Sequence, residues 1–454
     1  MTEQLYFLYI LNKILPEIEE EKLRIQSYEG IPDSATPDNG KPPDTVLGTV
    51  IFIKGCTGRE KIVLSDGHAI EVKSVNNARK IFEDLGVSPP ECVEIISFVP
   101  SQYPAVLFHP EKKTLYCLFD LEELILRLSR LEDETGLRDR HGRFLSSYHV
   151  NKSRWEIPIL DVIGKVIRDT FGFSTIKRKY GVIMTHDVDR VAVEPTLFIK
   201  NIIEKKKIER FSLTDEKDCL FQNLMELVDI DSKYAIKSTW FLLSGNYSLR
   251  RYGNRYSTNS SKVKKLIAAT RRNCQPVGLH TSFYGAFDFK QTLKEKKLLE
   301  KLSGQPICLN RNHYLRFDIR KPIAIYENCG FKADASMGYS DANGFRAGLC
   351  QPFRPWNYES GKISIILEIP LLYMDSVKSD NLAESWNDLQ RVLYWVKETR
   401  GCGSILFHPC SLANNRENKE FYVSTIRECK RLDIPFVSID TMLDRESGEI
   451  TNGN

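Results

Sequence analysis

None of the chain's 11 cysteines forms a C-x-x-C pair, and none recurs at a regular interval. That excludes a thiolate zinc site and argues against a disulfide framework. Cys117, Cys219 and Cys308 stand in apolar surroundings and are expected as reduced core thiols of a cytoplasmic protein. No apolar run approaches the ~20 residues of a membrane span, so no stable membrane insertion is expected. Leu5 to Leu11 follows Glu3 rather than a basic region and has no small-residue cleavage site after it, which reads as an ordinary helix and not as a signal peptide. Charge of one sign is scarce too, with 64 basic against 60 acidic residues and a net charge of +4. A nucleic-acid partner held by counterion release is not expected from that balance, and Lys205, Lys206 and Lys207 read as the solvated face of a helix. A P-loop, a dinucleotide glycine fingerprint and a serine nucleophile elbow are all missing.

What is present is a globular composition, 42% hydrophobic and 27% charged over 454 residues, long enough for two domains. The first is expected over residues 1–175, an α/β accessory domain. It opens with a helix over about residues 3–27, then a Pro/Gly/Asn-rich loop from Gly30 to Pro43. Strand-like runs follow at Val46 to Ile53, Lys61 to Leu64, Val93 to Phe98 and Ala105 to Phe108, with a helix near Ala78 to Leu85. Apolar residues recur at helical spacing from Phe119 to Asp133 and again from Pro158 to Phe171. The polar segment Arg138 to Phe144 between them reads as an exposed loop.

The second domain is expected over residues 176–454, where strands and helices alternate as in a parallel sheet or barrel with crossover helices. Apolar strands are predicted to end at Thr185, near Leu243, at His280, at Arg311, near Ala333, at Pro370 and at His408. In such folds the reactive residues gather at the carboxyl ends of the strands. The stretch Gly181-Val-Ile-Met-Thr-His-Asp-Val-Asp-Arg190 ends an apolar run in two acids two residues apart. In an extended strand these point to one side, so Asp187 and Asp189 can share a cation or basic partners. An Asx-type turn would also place acids there. All four histidines beyond residue 175, His186, His280, His313 and His408, end a predicted strand or follow one, and Arg311 lies among them. Together they point to a site.

Thr185-His-Asp-Val-Asp189, Lys237-Ser-Thr-Trp-Phe241, Gly278-Leu-His-Thr-Ser282, Arg311-Asn-His-Tyr314, Asp334-Ala-Ser-Met-Gly-Tyr339 and Leu406-Phe-His-Pro409 resemble, in order, the successive motifs of the NodB-homology polysaccharide deacetylases. The resemblance covers about residues 180–445. Upstream, Phe119 to Phe144 is similar to the domain of unknown function that precedes a deacetylase-like domain in one bacterial subgroup. The resemblance implies a deformed (β/α) barrel that removes acetyl groups from N-acetylated sugars with one divalent metal, commonly zinc. By position, Asp187 would be the general base, Asp189 and His280 metal ligands, and Arg311 the partner that orients the base. Tyr314 would be a backbone oxyanion donor, His408 the general acid and Asp334 the acid supporting it.

Residue chemistry agrees with that assignment. Amide hydrolysis needs an activated water, a stabilised oxyanion and a proton for the departing amine, and carboxylate, imidazole and guanidinium groups can supply them. Two departures stand out. Active members usually carry a second metal-binding histidine four residues after the first, where this chain has Tyr284. Three protein ligands are usual in catalytic zinc sites; His186 or His313 could supply the third, and His313 itself replaces the family's usual proline, so either the site is built differently here, or the ion is weakly held, or the site has decayed. Substrate-contact candidates are Tyr284, Tyr314, Trp240 as a sugar-stacking ring, and Arg346 in the aromatic loop Gly344 to Trp356, which reads equally as a surface loop pinned by packing. Glu368 and Asp375 lie near strand ends. The expected function is metal-dependent deacetylation of an N-acetylated or O-acetylated glycan or glycan precursor in the cytoplasm. The alternative is an inactive glycan-binding or scaffold protein that kept the barrel.

Overall fold

A computed structural model of the chain describes residues 2–15, 121–149, 154–171, 179–192, 218–245, 252–378, 380–413 and 415–443, with seven short strands between residues 23 and 117. They fall into two compact units, Glu3–Glu132 with Val162–Lys177, and Asp133–Asp161 with Arg178–Asn454. Asp133–Asp161, upstream of the junction expected near residue 175, thus groups with the barrel residues.

In the first unit, helix α1 (Thr2–Ile14) buries Tyr6, Ile10, Leu11 and Ile14 on one face. It stops short of residue 27 because Pro16 disfavours helical backbone at the residue before it. Residues 23–27, expected as helix, instead belong to strand β1 (Leu23–Glu29), parallel to β2 (Gly48–Lys54) in the register Leu23↔Gly48. Leu23 and Ile25 alternate with Arg24 and Gln26 at the period of a strand, and a partner strand overrides weak helix propensity. The unit continues through β3 (Ile62–Val63), β4 (Ala69–Ile70), β5 (Ile95–Ile96), β6 (Val106–His109), β7 (Thr114–Cys117) and α2 (Leu121–Ser129). Its main sheet has the order β1-β2-β7-β6-β5. The loop expected at 30–43 and the helix at 78–85 lie outside the described residues.

Helix α3 (Ile159–Phe171) belongs to the first unit from Val162 onward, and in the second unit the barrel strands begin with β8 (Gly181–Val188), every residue of which is buried. Its apolar run, with no polar alternation, suits a central parallel strand covered on both faces. Gly181 begins it with φ +146°, and a Cβ there would lie 2.3 Å from the Pro435 carbonyl oxygen, which accepts the Val182 N–H. Then follow α4 (Cys219–Lys233), β9 (Thr239–Leu242), α5 (Ser261–Arg272), β10 (Val277–Thr281), α6 (Phe289–Ser303), β11 (Leu309–Asn312), α7 (Pro322–Asn328) and β12 (Ala333–Asp334). A small hairpin, β13 (Trp356–Asn357) with β14 (Lys362–Ile363), precedes β15 (Leu367–Glu368), β16 (Leu371–Met374), α8 (Leu382–Glu398), β17 (Cys402–Phe407), α9 (Pro409–Leu412) and α10 (Arg416–Arg431). Asp218, Ser260, Asp288, Asn381 and Asn415 cap α4, α5, α6, α8 and α10 by accepting N–H groups of the first turn, the preferred residue types for that place.

Eight strands form one parallel sheet in the order β15-β12-β11-β10-β9-β8-β17-β16. Its two end strands, β15 and β16, are separated in the chain only by Ile369 and Pro370. Three peptide steps reach about 11 Å at most, so the sheet must curl until its ends lie side by side. The result is the deformed (β/α) barrel expected from the sequence. The strand expected to end at Pro370 is two short strands flanking it, since Pro cannot donate to a ladder. Ile183, Phe241, Leu309, Ala333, Leu367 and Cys402, one from each of six strands, pack into a buried core inside the curl.

Candidate active site

The carboxyl ends of β8, β10, β11, β16 and β17 surround a cavity of about 460 Å³, lined among others by Asp187, Asp189, His280, His313, Tyr314 and His408. Asp187, on β8, is buried and accepts from Arg311 Nη1 at 3.1 Å. Arg311 is wholly buried, and the rest of its fork is spent on the Ala335 carbonyl, Thr185 Oγ1 and Ser404 Oγ. Its guanidinium lies over the Phe241 ring, 4.6 Å from the centroid, where a weakly hydrated planar cation is stabilised. Tyr256 ties the ends of β8 and β9 together, donating to the Val188 carbonyl and accepting from Leu243 N–H.

Asp189 lies just past β8 on the same side as Asp187. Its Oδ1 is 3.4 Å from both His280 Nε2 and His313 Nε2. One ligand atom from each of these three side chains lies within 4.8 Å of the other two. Asp189 Oδ1 is buried without a hydrogen-bond partner among the described residues, an arrangement that is costly unless something occupies the space between. His280 Nδ1 faces the Arg311 carbonyl at 3.0 Å, which keeps the proton on that nitrogen and leaves Nε2 with its lone pair toward the cluster. Burial pushes His313 down to about 4, so its ring is neutral. One carboxylate and two imidazoles fit a divalent cation of the zinc type.

Of the two histidines open for the third position, the structure brings His313 to the cluster. His186 is turned to the other side of β8. Its Nε2 is 3.1 Å from Asp231 Oδ2 and its Nδ1 3.2 Å from the Phe407 carbonyl, as the alternation of a regular strand requires.

His408 stands at the start of α9, across the cavity. The acid beside it is Asp375, 2.6 Å from Nδ1, and not Asp334. Asp375 also accepts the His408 N–H at 2.9 Å and the Ser411 hydroxyl, which fixes its orientation. Burial opposes the charged form of His408, but the Asp375 carboxylate outweighs it and raises the ring to about 10. Asp334 is instead buried among Asn310 and Ser336 beside Glu368, where burial pushes both carboxyls up. Its neighbour Ala333 packs inside the curl, so Asp334 is turned to the opposite face of β12, beside Tyr326 of α7. Cys410 also lines the cavity, and its thiol is pushed up to about 12 by burial, which leaves no thiolate nucleophile there.

Two substrate-contact expectations, Trp240 and Arg346, are corrected. Trp240 is fully buried against His186, ring centroids 4.4 Å apart, because even positions of β9 face the helix layer. Arg346 is buried and makes a two-pronged pair with Glu134 at 2.8 and 2.6 Å, so its loop is the packed one of the two readings. Tyr284 is 40% exposed and does not line the cavity.

Tyr314 does line it, in a turn of unusual backbone: Tyr314 and Leu315 have φ of 63° and 49°. Left-handed backbone at non-glycine residues costs about 1–3 kcal/mol each and persists only where neighbours over-determine it. The neighbours come from residues 139–143, expected as an exposed loop. Arg143 Nη1 donates to the Tyr314 carbonyl, the His141 ring stacks on the Tyr314 ring at 5.1 Å, and Arg316 Nε donates to the His141 carbonyl. Asp139 in turn accepts from Arg143 Nε and Nη2. An Asp-x-His-x-Arg run two residues apart at each step was the only trace of this clamp in the sequence.

No family model matches the chain, and no curated protein matches it. Solved structures to which it is similar include a protein described as a polysaccharide deacetylase from Mycobacterium smegmatis, at 15% identity and a TM-score of 0.43 over 61% of this chain and 93% of that one. Another, so described, from Pseudomonas aeruginosa gives 13% and 0.40 over 58% and 89%, and PuuE allantoinase gives 12% and 0.39 over 60% and 94%. At such identities and scores the likeness carries no functional conclusion, which must come from the residues themselves.

Proposed function

We propose that the barrel is a metal-dependent hydrolase that removes an acetyl group from an N-acetylated or O-acetylated glycan or glycan precursor. The observation that carries the reading is the convergence of Asp189, His280 and His313 on one point, with the Asp187–Arg311 pair beside it and the His408–Asp375 pair across the cavity. A divalent ion held by the three ligands would lower the pKa of a bound water and polarise the acetyl carbonyl.

The chain's own groups account for the proton movements. Asp187, oriented by Arg311, takes a proton from the attacking water as its oxygen bonds to the acetyl carbon. His408, kept as imidazolium by Asp375, gives its proton to the departing nitrogen, or to oxygen in an ester, as that bond to carbon breaks. Acetate leaves with the water's oxygen. His313 supplies the ligand that position 284, a tyrosine, does not, which favours the enzyme over the inactive scaffold.

Elemental analysis after dialysis, with an acetate-release screen on acetylated sugars, tests the proposal. About one ion per chain is expected in the wild type, lost in Asp189→Ala and His313→Ala together with acetate release. A wild-type protein that takes up no zinc, cobalt, nickel or iron would overturn it.

A further inference from the structure

Away from the cavity, two outer-layer helices are charged in a way the balanced whole chain does not suggest. Helix α5 carries Lys262, Lys264, Lys265, Arg271 and Arg272 and no acid. Helix α6 carries Lys290, Lys294, Lys296, Lys297 and Lys301 against Glu295, which is buried, and Glu300, which is paired with Lys296. The buried faces of both, Val263, Leu266 and Ile267 on one and Thr292 and Leu299 on the other, turn toward the barrel, so their opposite faces turn outward together.

On α6 the exposed lysines 290, 294, 297 and 301 recur at steps of four, three and four, a single stripe along the helix. Lys264, Arg271 and Arg272 form the matching row on α5, also exposed. None of these seven side chains makes an ion pair among the described residues. A groove of about 730 Å³ lies between α4 and α5 at the end of α6, floored by Phe221 and Met225 of α4, Ile267 of α5 and Leu302 of α6, and edged on one side by the basic residues of α5. Like charges held this close repel one another, and an anionic partner would relieve that repulsion.

We infer that this face docks the protein peripherally on an anionic lipid bilayer. Five of the seven cations are lysines, point charges suited to a diffuse layer of phosphate headgroups, whereas nucleic-acid readout favours the bidentate arginine fork. A basic edge beside an apolar floor also suits a bilayer interface, phosphates at the edge and the acyl boundary over the floor. The inference is independent of the metal site.

Co-sedimentation of the full chain at low salt with phosphatidylcholine vesicles, with and without about one-third phosphatidylglycerol, tests it. Binding is expected only to the anionic vesicles and is expected to weaken with salt. Reversal of the stripe (Lys290→Glu, Lys294→Glu, Lys297→Glu, Lys301→Glu) should weaken it at least tenfold. A control with the same net charge, Lys237→Glu, Lys332→Glu, Lys362→Glu and Lys397→Glu, exposed lysines elsewhere on the barrel, should change it less than threefold. Lys→Gln versions of the stripe, checked by circular dichroism, guard against misfolding. Equal loss in stripe and control variants, no wild-type binding, or tighter binding to duplex DNA than to vesicles at the same salt would each overturn it.

Discussion

Arg143 Nη1 stands 2.9 Å from the carbonyl oxygen of Tyr314, a contact across 171 residues of chain that holds the left-handed turn carrying His313. Without that guanidinium, the Tyr314 carbonyl loses its charged donor and the His141 ring its neighbour, and the turn can relax toward ordinary backbone. His313 would then swing away from Asp189.

Arg143→Ala is therefore expected to weaken zinc binding by about 10- to 100-fold, the usual effect of removing a group that orients a ligand. Calorimetric titration of metal into the stripped protein measures this directly. His141→Ala should have a smaller effect, because the stack is lost and the charged hydrogen bond is kept. Unchanged affinity in Arg143→Ala would mean that the turn holds itself.

The His408–Asp375 pair gives a pH signature. The His408 ring is raised from its ordinary 6.5 to about 10, so the pair's contribution to stability is fully present below pH 6.5 and is lost as pH rises through about 10. Acetate release should show an alkaline limb in that upper range. In Asp375→Asn only Asp189 and Asp187 still offset burial of the ring, so the limb should move down, with a fall in kcat. A limb that stays in place would assign it to another group.

Asp334 and Glu368 form a buried acid pair whose carboxyls are both raised by burial and, for Glu368, by the neighbouring Asp334. The folded chain thus keeps a proton that the unfolded chain releases above about 4.5, and stability should decline as pH rises from there. Glu368→Gln removes the titrating group while keeping its shape. Urea unfolding across the pH range should show a flatter profile in this variant; the same slope as wild type would mean the pair does not hold the proton.

Arg346→Ala leaves Glu134 buried and unpaired and is expected to cost about 3–5 kcal/mol of stability, with KM unchanged because Arg346 does not face the cavity. Replacing both partners, Arg346→Met with Glu134→Leu, should recover most of that loss. A rise in KM without loss of stability would return Arg346 to the substrate.

Some of this was written locally in the sequence. The unbroken apolar run of β8, the two-residue step from Asp187 to Asp189, and the position of each histidine at a strand end follow from strand periodicity and from the rule that parallel strands open their carboxyl ends to one face. That backbone geometry is set residue by residue, so it is legible before folding. The same alternation already turned His186 away.

What only the tertiary structure decided is which side chains meet through space. Asp375 reaches His408 across 33 residues because β16 and β17 are neighbours, while Asp334, on a strand of two residues, is closed over by Ser336 and Asn310. His313 meets Asp189 because two successive left-handed residues re-aim the turn after β11, and the clamp that enforces them comes from residues 139–143, far upstream. Trp240 and Arg346 have the composition of substrate contacts, yet the covered face of β9 and the charge of Glu134 take them inward. Residue type states what a side chain can do; the direction of a loop and the identity of a distant partner depend on packing that no local period encodes.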